Sequence, residues 1–314
     1  MKARSRPSPA LRLAVRAGAA GVVAAAVAVP LLRKRLRVPA LVTIAACAGG
    51  PLAIAVLYPR SRKRDVVLYA MQMWAFTMVH ELPYDNPERL ESRLQVRYPI
   101  VLDRLIGLGK LPNVRLQTTL ARLRRVGTLD RFLTWAHWLW FFEPYVALAW
   151  ILYRHPERFP QAARRLAGVF DIGCIGYFVV PTAPPWWASE QGLTEKEVRR
   201  IMVEVGEQTW GSAWPSMYSA LGGNPWAAMP SLHFATSSMA AISLSEAGRV
   251  EGVVGWAYAL TLGFALVYLG EHYVTDLVAG AGLVAAVHQG EQLAEPSVQR
   301  VNRGLRRLER LASG

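Results

Sequence analysis

Residues 252–289 read GVVGWAYALTLGFALVYLGEHYVTDLVAGAGLVAAVHQ, a stretch in which only Glu271 and Asp276 are charged. Apolar residues fill it continuously, without the polar face of a half-buried soluble helix. The blocks 252–270 and 273–289, which meet at the central EHYVTD, approach the roughly 20 residues a helix needs to cross a bilayer core. The stretch reads as two membrane helices meeting at a polar turn that holds a histidine and an aspartate. Similar blocks lie at 13–32, 38–58, 66–82, 131–153, 166–182 and 229–246. Over the 314 residues, 53% are hydrophobic, 18% are charged and the mean hydropathy is +0.19, whereas a soluble domain carries about 25% charged residues. The expected fold is an all-α multi-pass transmembrane bundle of about six to eight crossings. Disorder, coiled coil and a secreted disulfide scaffold are excluded, and Cys47 and Cys174 lie inside apolar blocks, where a thiol behaves as a small hydrophobe.

Four regions are expected. Residues 1–65 form a membrane anchor or hairpin, with 13–32 read as an uncleaved anchor despite a start like a signal peptide. Gly49-Gly50-Pro51 would also suit a re-entrant hairpin over 38–58. Residues 66–130 hold a membrane segment and a pair of interfacial amphipathic helices. There Leu90, Leu94, Val101, Leu105 and Leu108 recur at helical spacing, and Arg89, Arg93, Arg97 and Arg104 take another face. Residues 131–290 form the main helical core, the part that carries the histidine-bearing stretches, and 291–314 a basic cytoplasmic tail. The arginine-rich loop 154–165 is expected inside the cell, and the glutamate-rich loop 183–227 outside. The net charge of +14 accompanies apolar blocks and forms no nucleic-acid motif, so anionic lipid headgroups, not nucleic acid, are the expected partners. Trp186, Trp187, Trp210, Trp214 and Trp226 would make the outer loop an aromatic belt, a lid over a lipid-binding mouth, or both.

Two stretches put titratable residues at the external ends of helices: Met229-Pro230-Ser231-Leu232-His233 and Glu271-His272-Tyr273-Val274-Thr275-Asp276. Pro230 suits the opening turn of a helix, whose free N–H groups attract an anion toward His233. His272 and Asp276 stand four apart on one helix face, so the carboxylate can hold one imidazole nitrogen and leave the other as a nucleophile. Glu143-Pro144 reads as a helix kink, and His137 and Asp171 as groups hydrogen-bonded inside the bundle. Gly280 and Gly282 would let the helices that carry the two histidines approach closely.

At these residues the sequence resembles the type 2 phosphatidic acid phosphatase superfamily, whose second motif is Pro-Ser-x-His and whose third ends His-x-x-x-Asp. Pro230, Ser231 and His233 match the former; His272 and Asp276 match the latter. The branch it looks most like is that of the yeast-type inositol phosphorylceramide synthases and their bacterial relatives. In that branch an apolar helix ending in a Pro-Pro turn precedes the second motif, as YFVVPTAPPWW does at Tyr177–Trp187. The resemblance covers roughly 130–290. It departs at the first motif, Lys followed after six residues by Arg-Pro: Arg158 and Arg165 have similar spacing but fall in the expected cytoplasmic loop. The Ser-Arg that opens the third motif would fall at Ala265 and Leu266.

The resemblance implies that His272 attacks phosphorus to give a phosphohistidine, Asp276 stabilises the imidazolium, and His233 protonates the leaving oxygen and then deprotonates the acceptor. Ser231, Pro230 and Tyr273 are the expected substrate contacts, joined by Trp186. Lys196, Arg199 and Arg200, or Arg89, Arg93 and Arg97, are the candidates to replace the missing phosphate-binding cations. No cofactor and no metal are implied, although two histidines and an aspartate also match a facial triad. The expected activity is a lipid phosphotransferase of inositolphosphotransferase type, acting at the extracytoplasmic face on a phospholipid or polyprenyl phosphate ester. A lipid phosphate phosphatase and a non-catalytic lipid-binding or transport protein are the alternatives.

Overall fold

The computed structural model describes residues 8–122, 125–221 and 224–313, so the first seven residues of the expected anchor region lie outside it. Every regular element among these residues is helical. Two compact units divide the chain: Met1–Asp85 with Gln289–Gly314, and Asn86–His288.

The first unit contains α1 (Pro9–Leu36), α2 (Ala40–Leu57) and α3 (Arg62–His80). Arg37 in the left-handed conformation ends α1, and Pro39 precedes α2, so the two pack as a helical hairpin. The re-entrant turn expected at Gly49-Gly50-Pro51 is not formed, and α2 runs through it as one helix. The two glycines serve packing instead: a Cβ on Gly50 would come within 2.9 Å of the Ala26 methyl. Arg33 is buried and bonds Asp85 at 2.7 Å and Glu81 at 3.2 Å. The expected basic tail is helical and returns to this unit, where Glu309 pairs with Arg64 at 2.9 Å.

The second unit begins with α4 (Pro87–Glu91), α5 (Arg97–Ile106) and α6 (Pro112–Leu120), followed by α7 (Thr128–Leu139), α8 (Glu143–Arg154) and α9 (Phe159–Val179). Short helices α10 (Pro185–Glu190), α11 (Ile201–Trp210) and α12 (Trp214–Leu221) carry the loop region. The unit closes on α13 (Leu232–Ala247), α14 (Arg249–Tyr268) and the first part of α15 (Val274–Ser313). The α13–α14 pair forms its centre, with α7, α8 and α9 packed around it. Gly280 permits the approach of α15 to α13, since a Cβ there would meet the Ser231 carbonyl at 2.8 Å; Gly282 faces open space.

Among the described residues, α1, α2 and α14 are long and apolar enough to cross a membrane. The block expected over 131–153 is not one span but α7 and α8, each 12 residues and so about 18 Å long against a core of about 30 Å. Between them, Trp140, Phe141 and Phe142 donate to carbonyls three residues back. Pro144 has no N–H for the helical ladder, and its ring would meet the carbonyl four residues earlier. It starts α8 afresh, a break instead of the expected kink. In the segment expected to form an interfacial amphipathic pair, α5 exposes Val101, Leu105 and the following Leu108 and buries Ile100 and Asp103, whereas Leu90 on α4 is buried.

Candidate active site

Ser231 is the N-cap of α13, and its Oγ accepts from Phe234 N at 3.3 Å, which places His233 in the first turn. Pro230 lies one residue before the cap; its carbonyl accepts the Tyr177 hydroxyl at 2.9 Å, tying α9 to this turn. The backbone N–H of Ser231 donates to the Asp276 carbonyl at 3.0 Å, so the starts of α13 and α15 are bonded to each other. That bond aligns the two stretches singled out in the sequence.

The side chains form a line. His233 Nδ1 lies 3.2 Å from His272 Nε2, and His272 Nδ1 lies 3.2 Å from Asp276 Oδ2. The same Oδ2 accepts from Tyr273 N at 2.9 Å. Asp276 is fully buried, His272 is 3% exposed and His233 is partly exposed. A carboxylate bonded to Nδ1 selects the tautomer that leaves Nε2 with its lone pair toward His233. The geometry is a relay, with Asp276 and His233 on opposite nitrogens of His272. The three do not converge on one open position as a facial triad must.

The turn before α15 is held by groups that no motif identifies. Asp103, fully buried on α5, accepts from Val274 N at 2.9 Å and Thr275 N at 2.8 Å. It thereby caps the N-terminus of α15 with a negative charge from another element. Asn113 Nδ2 donates to the carbonyls of Val267 and His272 at 2.7 and 2.9 Å. Gln117 bonds the carbonyls of Tyr268 and Arg199 and the amide of Arg199. At the positions where the resemblance would put Ser-Arg, Ala265 and Leu266 are fully buried. There the Leu266 carbonyl accepts the amides of Glu271 and His272.

The other expected site residues separate. Ser231 and Tyr273 are fully buried, the first spent on its cap and the second in a cluster with Ile100, Leu111 and Val198. Lys196 is exposed. Arg199 is paired with Glu204 and donates to the Arg122 carbonyl. Arg200 turns the other way: it bonds Glu271, next to His272, at 2.9 Å, reaches the Tyr218 hydroxyl, and lies 4.0 Å over the Trp186 ring. Burial disfavours its charge, but the Glu271 carboxylate and the Tyr218 hydroxyl outweigh that, and the guanidinium is held more firmly protonated than usual. A cavity of about 540 Å³ beside it is lined by Trp186, Arg199, Arg200, Glu190, Glu204 and Glu207. Its carboxylates outnumber its arginines, so it does not attract phosphate. Arg93 bonds the Phe178 carbonyl, and Arg165 pairs with Glu246, near the far end of α13 from His233.

His137, on the last turn of α7, lacks the expected bundle hydrogen bond at Nδ1 and packs its ring 5.1 Å from that of His233. Trp140 lies closer, at 4.1 Å, with its Nε1 on Thr236 Oγ1 at 2.8 Å. The break between α7 and α8 is what brings both rings to His233.

No curated protein and no solved structure matches the chain. The sequence profile of the PAP2 superfamily matches residues 105–289. That is more than half of the chain and includes His233, His272 and Asp276, and the chain belongs to the PAP2 superfamily.

Proposed function

We propose that this protein is a multi-pass membrane enzyme that transfers a phosphoryl-linked lipid headgroup through a phosphohistidine, with its site at the extracytoplasmic face. The observation that carries this reading is the relay from His233 through His272 to Asp276. His272 Nε2 attacks phosphorus while the ester oxygen departs with the P–O electron pair and takes a proton from His233. Asp276 offsets the positive charge that develops on the His272 ring. In the second half, His233 removes the proton of the acceptor hydroxyl, whose oxygen displaces His272 from phosphorus. Splitting one displacement into two lowers each barrier, and imidazole suits the proton transfers near neutral pH. His233 Nδ1 and His272 Nε2 face each other at 3.2 Å, so an entering phosphoryl group must part the rings.

The replacement of the family's third-motif arginine by buried Leu266 supports a phosphodiester over a dianionic phosphomonoester, since fewer fixed cations suit the lower charge. The preferred subtype is therefore a phosphotransferase of inositolphosphotransferase type, drawing its donor from the membrane, with 131–290 as its catalytic core.

Purified protein in mixed bacterial lipids, with and without inositol and other polyols, tests this by mass spectrometry of lipids and free phosphate. A headgroup-exchanged lipid that vanishes in His272→Ala is expected. Free phosphate with a dephosphorylated lipid would make the protein a lipid phosphate phosphatase, and no product under any condition would leave a lipid-binding or transport protein. Chelators are expected to leave the rate unchanged. A cysteine at Ser189 should react with an impermeant thiol label in intact cells, and protection there would reverse the orientation.

A further inference from the structure

His137 is a histidine buried against the catalytic relay. It is 5% exposed, and its Nδ1 is buried without a hydrogen-bond partner. Buried polar atoms are almost always bonded, and an orphan costs stability, so each exception asks for a reason. The ring stands against that of His233, and its charged or titratable neighbours are Glu271, His272 and Arg200. These four belong to the relay or to the Arg200–Glu271 pair beside it. Nothing in the packing of α7 calls for an imidazole here: the neighbouring buried positions on its inner face are Leu133, Thr134 and Ala136.

We propose that His137 is a third histidine of the active site, whose ring N–H donates to a non-bridging oxygen of the phosphoryl group once that group enters between His233 and His272. The inference rests on the phosphoryl-transfer reading of the relay. It answers the gap that reading leaves, since a phosphoryl group needs donors on its equatorial oxygens and buried Leu266 supplies no side-chain donor. A neutral imidazole carries one donor and one acceptor. Occupation of the site satisfies the donor, which explains why a buried position keeps it. Trp140, fixed to Thr236, also packs on His233, so both rings limit where His233 can move when the phosphoryl group arrives.

The probe is orthovanadate, a stand-in for the five-coordinate phosphoryl group, titrated into the full-length protein in detergent and followed by ⁵¹V NMR. His137→Phe keeps a packing ring and removes the donor; His137→Gln restores an N–H. Wild type should bind, His137→Phe should bind at least about tenfold more weakly, as for a lost hydrogen bond to a charged group, and His137→Gln should recover most of the difference. All three should melt at similar temperatures. Equal binding by wild type and His137→Phe would overturn the proposal, as would absence of binding by wild type. Failure of His137→Gln to recover binding would overturn it too, by making the ring's role one of packing. The transfer reading fails separately: lipid turnover that survives His272→Ala removes the phosphohistidine but leaves the His137 dependence of vanadate binding to stand or fall alone.

Discussion

The turn that carries His272 is held by hydrogen bonds from distant elements, whereas the ring of His233 is bracketed by other rings. Around His272, Asp103 takes the amides of Val274 and Thr275, Asn113 takes the carbonyls of Val267 and His272, and Asp276 takes the ring nitrogen. Around His233, besides its 3.2 Å contact with His272, stand Trp140 at 4.1 Å and His137 at 5.1 Å between ring centroids. Hydrogen bonds are directional and fix orientation, while ring packing restricts position and tolerates rotation. The difference matches the proposed division of labour. A nucleophile must present one nitrogen along one line in both half-reactions, while a proton carrier must serve first the leaving oxygen and then the acceptor.

The largest effects should come from the rings themselves. His272→Ala should reduce turnover to background, because no phosphohistidine can form. His233→Ala should lower it by about 10²–10⁴-fold, the usual contribution of a positioned acid and base. Burst kinetics with radiolabelled donor separates the two: His233→Ala should still form some labelled protein and His272→Ala none. Label on the protein in His272→Ala would exchange the roles assigned here.

Asp103→Ala comes next, and it breaks the hydrogen-bonded side of the comparison. It leaves the amides of Val274 and Thr275 without their partner in a partly buried place. An orphaned buried donor costs about 1–3 kcal/mol, so a loss of about 3 kcal/mol is expected, read as a lower unfolding midpoint in detergent. Faster amide exchange should be confined to 266–276. Exchange that rises instead around 231–236 would show that the two starts of helix are not held separately.

How far the site could be read from sequence follows the same division. His272 and Asp276 are four apart on one helix, and Ser231 caps the turn that carries His233; such relations are local and visible as spacing. Asp103 and Asn113 reach His272 and its neighbours across 171 and 159 residues. Neither stands in a pattern that marks it, since on the page Asp103 is one acid in an amphipathic helix. Adjacent residues can also part company: Arg199 turns to Glu204 and Arg200 to Glu271, because α11 begins directly after them and Gln117 pins the Arg199 backbone between the two. In the fold, apolar composition found the helices α1, α2 and α14 but ran α7 and α8 together. Hydropathy measures burial, and the residues of the break, Trp140, Phe141 and Phe142, are as apolar as a helix interior. Pro144 was the informative residue, and its effect is steric.

On the ring side, Trp140→Phe keeps the aromatic face and removes the indole N–H that bonds Thr236. A loss of about 1 kcal/mol is expected for one hydrogen bond, with turnover reduced a few-fold because His233 gains room to turn. The Asp103 and Trp140 effects should add in the double variant, since separately held groups couple little. Marked non-additivity would mean that one structure holds both histidines.

The smallest effect is a pH dependence that touches the hydrogen-bonded side alone. Glu195 accepts the Leu111 amide at 2.8 Å at the start of α6, the helix that carries Asn113, and Arg104 lies 3.1 Å away. Burial alone would raise its pKa, but the Leu111 amide, its own backbone amide and Arg104 outweigh that and hold the carboxyl below the usual carboxylate range. A group whose pKa falls on folding stabilises the folded state above its ordinary pKa, and the contribution fades as pH drops through the folded value. The Glu195 and Arg104 side chains both reach solvent, and solvent and salt screen the pair, so the contribution is small. Wild type should therefore exceed Glu195→Gln in unfolding midpoint at neutral pH, and the two should converge as pH falls below the carboxylate range. Amide exchange near Asn113 should follow the same course while that near His233 stays level. A pH-independent difference would locate the role of Glu195 in the geometry of the α6 start instead of its charge.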